Sequence, residues 1–75
     1  MARTVLHVVP DGDRWAVRLQ GSSWNLAQFR TKEPTIDNAV SYAKQHKPGQ
    51  VIVHNADGTI AAEWTYGNNP YPPAG

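Results

Sequence analysis

The chain has 75 residues, with 7 Lys plus Arg against 6 Asp plus Glu and a formal net charge of +1. That length holds one small domain, and near-neutral charge argues against strong non-specific binding to nucleic acid. The absence of Cys excludes disulfides, thiolate nucleophiles and Cys-type zinc sites, and no apolar run approaches the ~20 residues of a membrane span.

Residues 4 to 9, Thr-Val-Leu-His-Val-Val, are mostly β-branched and read as a strand. Pro10-Asp11-Gly12-Asp13 is a turn in which Gly12 is free to take positive φ. In residues 14 to 19, Trp15, Val17 and Leu19 alternate with Arg14, Ala16 and Arg18, the pattern of a half-buried strand. These two segments form a hairpin. After the turn at Gln20-Gly21-Ser22-Ser23, residues 24 to 29 read as a third strand, though Asn, Ala and Gln are poor strand formers.

The helix signal spans about residues 32 to 46. Thr31 stands at the N-cap, Glu33 complements the dipole, and Pro34 is tolerated in the first turn. Ile36, Ala39, Val40 and Ala43 make one apolar stripe, and Pro48-Gly49 stops the helix. Residues 50 to 54 form another strand, Asn55-Ala56-Asp57-Gly58 a tight turn, and residues 59 to 64 a returning strand with Ile60, Ala62 and Trp64 on one face. The order β-β-(β)-α-β-β predicts an α+β fold, a small antiparallel sheet with one helix packed on one face. Residues 1–64 make the domain, and residues 65–75 make a C-terminal tail, expected to be pinned to it by Tyr66 and Tyr71, with a free Pro-x-x-Pro ligand segment at Pro70-Tyr71-Pro72-Pro73 as the alternative.

Several segments together resemble a known family. They are Val9-Pro10, Gly12, Trp15-Ala16-Val17 and Thr31-Lys32 leading into Ile36, Ala39 and Ala43. Val51-Ile52-Val53-His54, Asp57-Gly58-Thr59-Ile60 and the tail Tyr66-Gly67-Asn68-Asn69-Pro70-Tyr71-Pro72-Pro73 complete the set. The chain resembles domain-of-unknown-function family 2188, short bacterial proteins with no assigned activity. The family often has Asp where Asn69 stands and Phe where Tyr71 stands, and residues 24 to 30 are the least family-like. The resemblance implies the fold and a bacterial cytoplasmic location, and no activity. Met1-Ala2-Arg3-Thr4, which lacks a signal peptide's apolar segment, agrees with that location.

Candidate sites are few. His7, His46 and His54 lack short ligand spacing, and His7 and His54 meet only if their strands are neighbours, so no metal or other cofactor is expected. Asp11, Asp13 and Asp57 sit in turns, where Asp satisfies local backbone N–H groups. No phosphate loop, nucleophile elbow or carboxylate pair is evident, and a chain this short leaves little room for an enzyme pocket. The expectation is a non-enzymatic interaction module, self-associating or bound to an unidentified protein, with no membrane partner. Its candidate contact residues are Trp24, Phe29, Tyr66 and Tyr71. The alternative is a nucleic-acid-binding module using a basic sheet face of Arg3, Arg14, Arg18, Arg30 and Lys32.

Overall fold

Three strands, one helix and two further strands follow one another along the chain. They are β1 (Thr4–Asp11), β2 (Arg14–Leu19), β3 (Asn25–Phe29), α1 (Lys32–Gln45), β4 (Gly49–His54) and β5 (Ile60–Tyr66). The computed structural model describes residues 3–67. The strands form one sheet in the order β3-β2-β1-β4-β5, and α1 packs on one face of it. The α+β class and the element order are those the sequence implies, and the third strand forms.

One pair departs from the antiparallel expectation: β1 and β4 run parallel, with Leu6 opposite Val51 and Val8 opposite Val53. The cause is the number of reversals. β1, β2 and β3 alternate direction, so β3 points the same way as β1. The 14 residues of α1 then span about 21 Å, close to the length of a six-residue strand at ~3.3 Å per residue. The helix therefore carries the chain back over the sheet, and β4 starts at the end where β1 started. A further hairpin adds β5 antiparallel to β4.

The core lies between α1 and the sheet. Leu6, Val8, Val17, Val51 and Val53 from the three central strands meet Ala39 and Ala43 of the helix, all buried. Trp15, Leu19, Ala27, Ile36, Val40, Tyr42, Ala62 and Tyr66 pack around them. Thr31 is the N-cap, but its side chain makes no capping bond. Its carbonyl instead accepts from the Thr35 hydroxyl at 2.7 Å, which satisfies that buried polar group one turn into the helix. Gly12 takes φ +65° in the β1–β2 turn, as that turn requires.

β5 reaches Tyr66, so Thr65 and Tyr66 belong to the sheet rather than to a tail. The rest of the expected tail, with Tyr71, lies outside the described residues. A register shift at Val53/His54 sets Ile60 opposite His54, so Ile60 leaves the face it was expected to share with Ala62 and Trp64.

Gly49 marks where β4 starts beneath the helix. A Cβ there would stand 2.6 Å from the Ala43 carbonyl oxygen and 2.9 Å from its Cα and Cβ. These are backbone atoms and a Cβ, which cannot swing aside as the end of a long side chain can. Gly49→Ala is therefore expected to lower stability by about 1–3 kcal/mol through overpacking, read as a lower urea midpoint with an unchanged slope. A variant as stable as the parent would show that β4 and α1 do not approach so closely.

Candidate functional site

Among the described residues, no second layer covers the face of the sheet away from α1. Register places Val5, His7, Val9 and Asp11 of β1, Arg14, Ala16 and Arg18 of β2, and Gln50, Ile52 and His54 of β4 on this face. Its polar side chains bond mainly to one another, forming two groups.

The first group spans β1, β2 and β3. Asp11 Oδ2 accepts from Asn25 Nδ2 at 2.9 Å and from Gln28 Nε2 at 2.8 Å. Arg18 donates through Nε to Asn25 Oδ1 at 2.7 Å, and its terminal nitrogen stands 3.8 Å from Asp11 Oδ1. The bridge from Asp11 to β3 crosses β2 where Ala16, a small residue, is fully buried. The amides of Asn25 and then Gln28, with a further contribution from Arg18, hold the Asp11 carboxyl below the usual carboxylate range. Asp57 is lowered in the same way by the Thr59 hydroxyl and backbone N–H, which close the β4–β5 turn.

The second group joins β1 to β4. His7 Nδ1 lies 2.9 Å from His54 Nε2. The outer nitrogens also have partners: His7 Nε2 is 3.1 Å from Gln20 Oε1, and His54 Nδ1 is 3.2 Å from the Gly58 carbonyl. The ring centroids are 5.2 Å apart with planes 27° from parallel. That separation is about what the N···N distance and two ring radii make end to end, so the rings meet edge to edge, not face to face. The strands that carry His7 and His54 are thus neighbours, the condition under which the two residues meet. In the same row of the sheet, Arg3 donates to Gln50 Oε1 at 3.3 Å, and Gln50 Nε2 donates to Glu63 at 3.4 Å.

Of the five candidate cations, Arg14 and Arg18 share the open face by register, and Arg3 bonds to Gln50 on the same face. Arg18 is bound into the Asp11 network, and Arg3 reaches Gln50 on β4. Lys32 lies over the Trp15 ring at 5.2 Å, near the start of the helix. Arg14 and Arg30 come together, lining with Asp13 an open cavity of about 300 Å³. Of the candidate aromatics, Trp24 is 70% exposed. Phe29 is half-buried opposite Trp15, and Tyr66 packs on the core beneath Lys44. Trp64 reads in sequence as a core residue, yet it is 40% exposed, and Ile60 is 55% exposed. Both lie on β5, the edge strand beyond the four strands on which α1 chiefly packs.

A family model described as an uncharacterized protein conserved in bacteria (DUF2188) matches residues 6–66. The chain belongs to this family. No curated protein and no solved structure matches the chain. The match to DUF2188 begins at Leu6, the first core residue of β1, and ends at Tyr66, the last residue of β5. It therefore contains both open-face groups and the β5 edge of this DUF2188 chain. No helix among the described residues is long and apolar enough to cross a membrane.

The Asp11 network sets a pH dependence with a definite sign. A carboxyl lowered in the folded state adds stability above its unfolded value, and that stability is lost as pH falls through the lowered value. Carbon-detected NMR is expected to show Asp11 titrating below the usual range. Asp11→Asn should be less stable than the parent at neutral pH, with the gap closing as the solution is acidified. A gap independent of pH would show that the Asp11 charge adds nothing to the fold.

Proposed function

We propose that this DUF2188 chain is a small non-enzymatic interaction module that pairs with a second copy along β5. The observation that carries the reading is the exposure of Trp64 on an edge strand. Trp64 stands opposite Val51, which is fully buried, yet its own ring extends past the cover of the helix. β5 has seven residues, no Pro and one charged side chain, Glu63. An edge of that kind offers free backbone donors and acceptors to another strand. The opposite edge, β3, has five residues and a register shift in its middle, whereas the shift in β5 falls at its start and leaves Ala62 to Tyr66 regular.

Charge excludes one register of such a pair, and the exposed indole favours another. An antiparallel two-fold centred on Glu63 would oppose two carboxylates, which is unfavourable. Centred on Trp64, it opposes the two indoles, sets Glu63 against Thr65 and sets Ala62 against Tyr66. Burying a large apolar side chain contributes about 1.5–3 kcal/mol, and a domain of this size gains from such reinforcement.

Two features support a non-enzymatic reading. Asp11 and Asp57 are held in the charged form by their hydrogen bonds, the wrong direction for a general acid at neutral pH. The Asp13–Arg14–Arg30 cavity is wide open and lacks the apolar walls of a usual ligand pocket. Nucleic-acid binding has less support, because Arg18 is bound to Asp11 and Asn25 and Lys32 lies over the Trp15 ring.

Sedimentation velocity over a wide concentration range tests the proposal. The parent is expected to dimerise, Trp64→Glu to sediment as a folded monomer, and Trp24→Glu to dimerise like the parent. A parent that stays monomeric at every concentration overturns the proposal, as does a dimer indifferent to Trp64→Glu.

A further inference from the structure

Arg14 stands on the open face without a counter-ion. Its cross-strand partner on β1 is Asp11, but both oxygens of that carboxylate are turned elsewhere. Oδ2 accepts from Asn25 and Gln28, and Oδ1 faces Arg18. On the other side of β2, the register that sets Trp15 opposite Phe29 brings Arg30 next in line beside Arg14. Two like charges on facing chains are unfavourable. Among the described residues neither guanidinium has a carboxylate in ion-pair contact, and the arginines that donate side-chain hydrogen bonds are Arg3 and Arg18.

The space beside these two guanidiniums is a cavity. Arg14, Arg30 and Asp13 line about 300 Å³ at the β1–β2 turn, the lower end of small-ligand pockets. Two cations against one carboxylate leave it net positive, and polar walls suit an ion rather than an apolar ligand. The arginines narrow the kind of ion. A guanidinium donates in a planar fork that engages two oxygens at once. One fork occupies both oxygens of a carboxylate, whereas a tetrahedral phosphate has oxygens for two forks.

We propose that Arg14 and Arg30 bind the phosphate group of a small phosphate monoester. The phosphate lies between the guanidiniums and replaces their repulsion with charge-assisted hydrogen bonds. Asp13, the one carboxylate in the lining, opposes the charge of the ligand and weakens the site. The cavity lies at the β2–β3 side of the sheet, across from β5, so the site is independent of pairing along β5. A nucleic-acid backbone carries the same group as a diester, but a single cavity with two arginines gains nothing from further phosphates.

The test is an NMR titration of the full chain with inorganic phosphate and with phenyl phosphate, against chloride at equal ionic strength. Both phosphates are expected to give saturable shifts at Asp13, Arg14 and Arg30 that chloride does not give. Affinity should fall by about tenfold in Arg14→Gln and in Arg30→Gln, and rise in Asp13→Asn. It should hold in Arg3→Gln, which removes the same charge elsewhere. All three lining residues are exposed, so these variants spare the core. Absence of saturable binding by phenyl phosphate, or an affinity that Arg3→Gln lowers as much as Arg14→Gln, would overturn the proposal. So would binding to a single-stranded oligonucleotide that strengthens with its length.

Discussion

The architecture rests on how closely α1 can lie against the centre of the sheet. Ala39 and Ala43 bring the helix down onto Leu6, Val8, Val51 and Val53, and Gly49 lets β4 begin under the Ala43 carbonyl. Larger side chains at these points would lift the helix, and the valines below would lose their partners. The same closeness limits the width of sheet that one helix can roof. Four strands receive its contacts and β5 stands largely outside them, which is why a tryptophan with a buried cross-strand neighbour remains in reach of solvent.

The two faces are held by different physics. Under the helix, apolar area is removed from water. On the open side, where no second layer lies among the described residues, the side chains are organised by hydrogen bonds between strands. Asp11 ties β1 to β3 across β2, His7 ties β1 to β4, and Gln50 ties β4 to β5. Every strand is thus joined to another by side chains as well as by its backbone ladder. Such a face is ordered and polar at once. That suits a surface whose groups must hold fixed positions while staying wet.

Much of the fold is legible in the residues. The stripe of Ile36, Ala39, Val40 and Ala43, the alternation of Trp15, Val17 and Leu19, and the Pro48-Gly49 stop each point to the element that forms. What pattern reading misses is set by tertiary geometry. The parallel pairing of β1 with β4 depends on the helix spanning one strand length. The outward turn of Ile60 depends on a register shift that no local pattern announces. Trp64 looks like core because period-two alternation reports the face a residue takes, not whether that face is covered. The meeting of His7 and His54 was conditional on strand order, which the sequence leaves open. The Asp11 network draws on four residues from three strands, and it becomes visible only when the hairpin register is known.

The parallel contact of β1 with β4 also shapes how the chain reaches its native state. β1, β2 and β3 are joined by short turns and can assemble by local zipping. β1 gains its second neighbour only after the whole helix has intervened, a closure across more than half the described chain. The entropy of that closure is lost before the valine contacts repay it. The parallel pairing is thus the long-range contact of the sheet, while α1 also packs on β1, β2 and β3, which precede it in the chain.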